Sequence, residues 1–249
     1  MTGKVLGQFF TQPIIKKMMV KLIDPQIHAD GTIDTCGDPT MGTGGFLITY
    51  LQYILQQAKI KNIKPDWNFI KTDGLYGKEI EPDTYIHNLL KSEYLPIKTD
   101  NAVSLFIQSI IYMLKINGKC AVVLPDGQDL FSKTNKILIL IREYLLKTCD
   151  LKEIIYLPSG IFIYTNIKTC VLYFIKKIDS VDIFKKSGKD YKFVDTHQTT
   201  EVSFYNYNDK EDTKTLLIKA PINKIINNKY SLNYQEYIEE IKEEYKEEI

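Results

Sequence analysis

Glycines and acidic residues in the first third of the chain have the spacing that a ligand-binding site needs. The segment Asp38-Pro-Thr-Met-Gly-Thr-Gly-Gly45 carries Gly42, Gly44 and Gly45, and glycines let a backbone turn sharply and approach a ligand closely. A helix that starts there aims its first amide groups at that ligand. Glu79 stands at the end of a predicted strand, where an acid accepts hydrogen bonds from a ribose diol. These residues predict a ligand of nucleotide type.

Each of these features also has a plainer interpretation. The loop can be a structural turn, and Glu79 can be a solvated acid, with Glu81 as the competing partner for a ribose. The loop lacks a following Lys-Ser/Thr pair, which argues against a P-loop nucleotide hydrolase. Its glycine spacing also departs from the dehydrogenase fingerprint.

The elements around the loop are those that open an α/β nucleotide-binding unit. A helix is predicted over 14–22, a short buried strand over 31–36 and a second helix over 46–57. The next strand is predicted over 74–81, and Pro82 can start the helix that follows it. A strand, a glycine-rich turn and a helix in this order are typical of nucleotide-binding folds.

The middle of the chain continues the alternation of strands and helices. Apolar spacing predicts helices over 101–114 and 136–146, and apolar runs predict strands over 120–124, 151–157 and 169–175. Such alternation favours a mostly parallel, doubly wound sheet. We therefore expect a Rossmann-like α/β domain over residues 1–176.

Residues 177–249 are predicted to form a C-terminal extension. They are polar, contain a strand-like piece over 202–207, and end in YQEYIEEIKEEYKEEI from Tyr234. This tail predicts a charged amphipathic helix, which can be a solvated helix resting on the domain or a helix that docks on a partner subunit.

Composition limits the class of protein. The net charge is +1, so total charge does not indicate a nucleic-acid binder, although a local basic face stays compatible with it. We see no membrane span and no signal peptide, and we expect a cytoplasmic protein. Cys36, Cys120, Cys149 and Cys170 lack zinc-ligand spacing. We expect reduced, mostly buried thiols and no metal site.

Several motifs, in order, resemble one family. They are Gly7-Gln-Phe-Phe-Thr11, Asp38 to Leu47, Gly77 to Tyr85, Asn101 to Phe106, Gly118 to Gly127, Leu157 to Phe162 and Thr165 to Phe174. Together they are similar to the modification subunit of type I restriction systems, a group of adenine-N6 DNA methyltransferases. The resemblance implies S-adenosylmethionine as cofactor, DNA as substrate, and a sheet of the S-adenosylmethionine-dependent methyltransferase type.

The resemblance also implies roles for individual residues. Thr43, Gly44 and Gly45 would contact the methionine part of the cofactor, next to Asp38 and Gly42, and Glu79 would hold the ribose hydroxyls. The wall of the pocket would consist of Gln8, Phe9, Phe10 and Thr11, with Gln12 and Pro13 beside them. Relatives have proline directly after that threonine, whereas Gln12 intervenes here. The Phe9–Phe10 pair can also be plain core.

The catalytic signature of the family is absent. It consists of Asn or Asp, Pro, Pro and an aromatic residue that stacks on the flipped adenine, and this chain contains no Pro-Pro pair. We infer an internal deletion near residues 90–96. Relative to the family, it removes on the order of 50 residues or more. No catalytic residue is therefore assigned, and Asp126 is interpreted as part of a strand-end turn.

The deletion leaves several outcomes open. In such a sheet the missing strand lies between the first strand and the one over 120–124, so these two strands pair directly or leave unpaired backbone groups. The gene can also be decayed or split, or its product partly unfolded. The chain is either a subunit of a site-specific adenine-N6 methyltransferase or an inactive or fragmentary relative that binds cofactor, DNA or a partner. Its expected partners are DNA through a specificity subunit, that subunit itself, or a complementary methyltransferase fragment.

Overall fold

The computed structural model describes residues 11–78, 90–162, 167–179, 184–187, 190–193 and 195–238. These residues divide into two compact units. Unit 1 takes its described residues from Met1–Tyr85 and Gly160–Thr165, and unit 2 takes its own from Ile86–Ser159 and Asn166–Ile249.

Unit 1 contains the predicted glycine-rich loop and the helices beside it. Its elements are α1 (Pro13–Ile23), β1 (Cys36–Asp38), α2 (Gly45–Lys61), a short turn α3 (Trp67–Phe69) that continues as a π-helical turn (Ile70–Gly74), and β2 (Leu75–Gly77). β1 and β2 pair in parallel, and α1 packs against α2. The buried core of the unit includes Val20, Ile27, Ile33, Tyr50, Ile54, Ala58 and Ile70.

Local sequence fixes the position of both long helices of unit 1. Pro13 is the first residue of α1, where the missing amide costs nothing. Asp24 ends α1 and Asn62 ends α2, each in the left-handed conformation. The hydroxyl of Tyr50 donates to the carbonyl of Asp34 at 2.6 Å, which ties α2 to the segment that enters β1.

Unit 2 is built on a five-stranded sheet with the order β3-β5-β4-β8-β9. Its strands are β3 (Lys119–Pro125), β4 (Cys149–Tyr156), β5 (Thr169–Lys176), β8 (Glu201–Asn208) and β9 (Thr213–Pro221). The pairing of β4 with β8 is parallel, whereas the other three pairings are antiparallel. A separate antiparallel pair consists of β6 (Phe184–Ser187) and β7 (Asp190–Phe193).

The helices α4 (Ala102–Met113), α5 (Gln128–Phe131), α6 (Lys136–Thr148) and α7 (Ile222–Asn227) accompany this sheet. Asn101 caps α4 by accepting from the amide of Ser104 at 2.7 Å, and Asn135 caps α6 through the amides of Ile137 and Leu138. Such caps each contribute about 1 kcal/mol. The sheet and helices enclose a core that includes Ile111, Tyr144, Leu145, Ile154, Leu172, Phe174 and Phe204.

The structure confirms the predicted α/β class and most of its elements. The helices predicted over 14–22, 46–57, 101–114 and 136–146 are α1, α2, α4 and α6, and the strands predicted over 120–124, 151–157 and 169–175 are β3, β4 and β5. The strand-like piece over 202–207 lies in β8. β9 was not predicted.

The prediction of a mostly parallel sheet is wrong for the five-stranded sheet. β8 and β9 are joined by a tight turn in which Asp212 has a φ of 50°, and a connection this short permits only antiparallel pairing. β3 and β4 each lie beside β5 and run antiparallel to it.

The strand predicted over 31–36 begins only at its last residue. Residues before Cys36 form a tight reversal, in which Ile27 bridges Ile33 and Gly31 has a φ of 87°. A Cβ atom on Gly31 would lie 2.4 Å from the carbonyl oxygen of Lys64. Gly31 therefore serves a turn that passes close to another backbone, and it does not start a strand.

The predicted division of the chain at residue 176 stays a prediction. Within unit 2, β8 hydrogen-bonds to β4, so the segment after residue 176 contributes two strands to the main sheet. Residues 234–238 are helical, as predicted for the start of the terminal helix, and the rest of that helix lies outside the described residues. Over the described residues, no helix has both the length and the apolar character for crossing a membrane.

Candidate functional site

The loop from Asp38 to Gly45 connects the end of β1 with the start of α2. The amide of Lys78 donates to the carbonyl of Asp38 at 3.0 Å, and the amide of Met41 donates to the carbonyl of Lys78 at 3.2 Å. The β1–β2 pairing thus continues into the loop. The amide of Gly44 donates to the carbonyl of Met41 at 2.8 Å and closes the turn.

Two of the three predicted glycines have backbone conformations that favour glycine. Gly42 has a φ of 52° and Gly44 a φ of 74°, both in the left-handed region. A Cβ atom on either residue would meet no atom of the described residues within 4 Å. Crowding by described residues is therefore not the reason for glycine at these positions. Their backbone conformation favours glycine, and the missing side chains leave room for a ligand.

The N-terminus of α2 is open to a ligand. Gly44 is the N-cap residue and supplies no side-chain hydrogen bond, and the first turn contains no acidic residue. The first amides of a helix have no partner within the helix. A helix start in this condition favours an anionic group.

Gly45 has a different reason for being glycine. A Cβ atom there would lie 2.5 Å from Nζ of Lys16, a residue of α1. The side chain of Lys16 thus crosses the first turn of α2. Sequence reasoning missed Lys16; the available signal was its place on a helix that directly precedes the glycine-rich unit.

Gly77 at the end of β2 is a further residue whose role sequence reasoning missed. A Cβ atom on Gly77 would lie 2.1 Å from Sδ of Met41 and 2.8 Å from Cδ1 of Leu47. Gly77 therefore lets a loop residue and a residue of α2 pack against the end of β2. The available signal was the Gly77-Lys-Glu motif, in which the glycine precedes Glu79 by two residues.

The structure brings part of the predicted site together. Asp38, Gly42, Thr43, Gly44 and Gly45 lie in one loop of unit 1. Thr11, Gln12 and Pro13 lie at the start of α1, where the carbonyl of Gln12 accepts from the amides of Ile15 and Lys16. The other predicted site residues, Gln8, Phe9, Phe10 and Glu79, lie outside the described residues, as does the competitor Glu81.

Cys36, the cysteine nearest to this loop in sequence, is not suited to act as a thiolate nucleophile. Burial, with a smaller effect of the Asp38 carboxylate, raises the pKa of Cys36 to about 12, so this thiol stays protonated at neutral pH. Burial also raises the pKa values of Cys149 and Cys170. All four cysteines are free: Cys149 and Cys170 are buried, and Cys36 and Cys120 are partly buried. Among the described residues, no group of three or more His, Cys, Asp or Glu side chains could hold a metal ion.

Asp126 lies in the turn that follows β3, as the sequence predicted. Its amide donates to the carbonyl of Lys168 at 2.8 Å. Burial raises the pKa of its carboxyl group, and the nearby charge of Lys168 opposes that shift.

Comparison with known proteins gives the family. The sequence profile of the N-6 DNA methylase family matches residues 1–91 and 87–246, two stretches that overlap at residues 87–91. The methylase subunit of the type I restriction enzyme EcoEI from Escherichia coli is 27% identical over 216 residues, which cover 68% of this chain and 42% of that protein. Since 68% of 249 residues is about 170, the alignment includes positions at which this chain has no residue.

Solved structures share the fold. The crystal structure of the EcoKI M protein has a TM-score of 0.62 at 24% identity, covering 81% of this chain and 49% of that one; the EcoKI methylase subunit is from Escherichia coli strain K12. The type I methyltransferase subunit from Streptococcus thermophilus has a TM-score of 0.54 at 17% identity, covering 91% and 58%. These likenesses confirm the predicted methyltransferase type of fold.

This chain spans only 42% and 40% of the length of the EcoEI and EcoKI methylase subunits. The family match nevertheless extends over most of its residues, in two stretches that together run from residue 1 to residue 246. The predicted resemblance is thereby confirmed: the chain belongs to the N-6 DNA methylase family.

Proposed function

We propose that this chain is the cofactor-binding part of a type I adenine-N6 DNA methylase subunit, and that S-adenosylmethionine binds at the loop from Asp38 to Gly45. The observation that carries the proposal is the loop itself. It has left-handed glycines with open space beside them, directly before an uncapped helix of 17 residues.

The loop fits the cofactor chemically. S-adenosylmethionine has an anionic carboxylate at its amino-acid end, and an uncapped helix start favours such a group. Gly44 and Gly45 would receive the methionine part, and Glu79 would accept hydrogen bonds from the ribose. Residues Gln8 to Thr11 would form the wall of the pocket. When bound, the cofactor supplies an activated methyl group on its sulfonium.

Methyl transfer to adenine needs a further element. The amino group of adenine is a weak nucleophile, because its lone pair is delocalised into the ring. An enzyme must therefore hold the flipped base in line with the methyl group. The Asn/Asp-Pro-Pro-aromatic signature that does this in the family is absent from the sequence. We propose that a complementary polypeptide supplies it.

Features of strand β3 support the proposal that a complementary polypeptide supplies a neighbouring strand. Among the strands that the structure describes, β3 is at the edge of its sheet, although Cys120 to Leu124 form an unbroken apolar run of the kind found in central strands covered on both faces. Ala121, Val122 and Val123 are only partly buried. An apolar edge strand is prone to pair with a strand of another chain.

The choice of DNA sequence would lie outside this chain. Type I relatives delegate target recognition to a specificity subunit, and we propose such a subunit as the route by which this chain meets DNA. A footprint of the isolated chain on one defined DNA sequence would contradict this part of the proposal.

Incubation with S-adenosylmethionine labelled in the methyl group tests the function. One sample contains the chain and mixed-sequence DNA. A second also contains the specificity subunit of a type I relative and a polypeptide for the segment that the chain lacks. A third repeats the second with Gly44→Val. We expect labelled N6-methyladenine in the second sample only, measured after digestion to nucleosides.

Two results would contradict the proposal. Labelled N6-methyladenine in the first sample, absent with Gly44→Val, would show that the chain needs no complementary segment. A folded chain that binds no S-adenosylmethionine in calorimetry would remove the cofactor site.

A further inference from the structure

Lys16 places a positive charge at the N-terminus of α2. A Cβ atom built on Gly45, the first residue of α2, would lie 2.5 Å from Nζ of Lys16, 3.4 Å from Cδ and 3.5 Å from Cε. The end of the lysine side chain therefore lies against the first turn of the helix. Both residues belong to unit 1, where α1 and α2 pack together.

Among the described residues, none balances the charge of Lys16. Lys16 makes no ion pair and no side-chain hydrogen bond with any residue that the structure describes. The first turn of α2 contains no acidic residue. A cation beside a helix N-terminus faces the positive end of the helix dipole, so the arrangement is electrostatically unfavourable by itself. An anion bound beside both the ammonium group and the helix start would be attracted to each of them and would offset this repulsion.

The glycine at position 45 keeps this arrangement possible. Any other residue would bring its Cβ atom into contact with the ammonium group and the last carbons of Lys16. Gly44 beside it leaves open space where its own side chain would be. Gly45 thus leaves room for the end of the lysine side chain, and the neighbouring Gly44 has no described atom within 4 Å of its own Cβ position.

We propose that Lys16 binds the carboxylate of the amino-acid end of S-adenosylmethionine, together with the first amides of α2. This inference rests on the proposed cofactor site. The carboxylate is the one anionic group of that cofactor, whose sulfonium and amino groups are positive. Lys16 therefore selects the orientation in which the amino-acid end meets the helix start.

A pair of ligands isolates this contact. S-adenosylmethionine and its decarboxylated form differ in the carboxylate, and their binding to the chain is compared by calorimetry. In the parent protein we expect the decarboxylated ligand to bind more weakly. Lys16→Met should lower the affinity for S-adenosylmethionine by about 10- to 100-fold, which is the range expected for the loss of a hydrogen bond to a charged group. The same substitution should change the affinity for the decarboxylated ligand by less than about twofold, or raise it, because the positive charges of lysine and ligand no longer repel each other.

Control variants exclude indirect effects. Lys17→Met removes an exposed charge from the same helix, and it should leave both affinities within about twofold, as expected for a surface charge. Lys16→Arg keeps the charge and should retain most of the discrimination between the ligands. Circular dichroism and the unfolding midpoint check that each variant is folded.

Several results would overturn the inference. Equal weakening of both ligands by Lys16→Met would mean that Lys16 only supports the loop. Unchanged binding of S-adenosylmethionine would mean that it does not contact the ligand. Unchanged ligand affinity with weaker DNA binding would assign Lys16 to a phosphate of DNA instead. A folded parent that binds neither ligand would overturn the proposed function and this inference together.

Discussion

The guanidinium group of Arg142 donates to the backbone carbonyl of Tyr230 at 2.6 Å, across 88 residues of sequence. It also donates to the carbonyls of Asp129, Ser132 and Lys229. Arg142 is only 1% exposed, and burial lowers the pKa of its guanidinium to about 10. This side chain therefore joins α6 to the turn at α5 and to the segment after α7.

Arg142→Met should destabilise the protein by about 3 kcal/mol or more, because it leaves buried carbonyl groups without donors. Urea unfolding followed by circular dichroism measures the change. Lys136→Met, an exposed charge removed from the same helix, should change the free energy of unfolding by less than about 0.5 kcal/mol. Similar losses for both variants would show that the contacts of Arg142 contribute nothing beyond its charge.

His197 should make the protein less stable in mild acid. Its Nε2 lies 3.2 Å from the hydroxyl of Tyr230, and burial, with the charge of Lys147, lowers its pKa below 6.5. The unfolded chain then takes up the proton before the folded chain does. This contribution to stability is full above pH 6.5 and is lost as the pH falls from there toward the lowered pKa of the folded state.

Urea unfolding of the parent and of His197→Gln at pH 8 and near pH 5 tests this. The variant should lose less stability between the two pH values than the parent does. If both proteins lose the same free energy of unfolding between these pH values, titratable groups other than His197 cause the loss.

Gly44→Val should strongly weaken cofactor binding. A β-branched residue strongly disfavours a φ of 74°, and its side chain would occupy the open space beside the loop. Calorimetry with S-adenosylmethionine should show a loss of at least about tenfold, which corresponds to about 1.4 kcal/mol. Gly127→Ala is the control, because Gly127 has an extended backbone and open space around it. If the Gly44→Val variant binds S-adenosylmethionine as tightly as the parent does, the loop is not part of the cofactor site.

The outer edge of β3 should become protected when a complementary segment binds. In the isolated chain, the amides of Ala121 to Leu124 that point away from β5 should exchange hydrogen quickly. Addition of the polypeptide that restores methyl transfer should slow their exchange, as measured by hydrogen exchange with mass spectrometry. Restored methyl transfer without added protection at β3 would mean that the segment joins elsewhere.

The sequence by itself determined the family, the loop from Asp38 to Gly45 and the principal helices. These features depend on residues close together in the chain. Apolar spacing marks a helix face, Pro13 marks a helix start, and left-handed turns select glycine at positions 42 and 44. The absence of the catalytic signature is likewise a property of the sequence.

The tertiary structure alone decided how distant segments meet. The antiparallel pairing of β3 and β5, the contribution of β8 and β9 to the main sheet and the buried position of Arg142 all join residues far apart in sequence. Lys16 is the clearest case for function. On α1 it is one of several lysines, and only the packing of α1 against α2 brings its ammonium group to Gly45. Local patterns carry no information about such contacts, because packing and strand pairing depend on side chains that the chain brings together only when it folds.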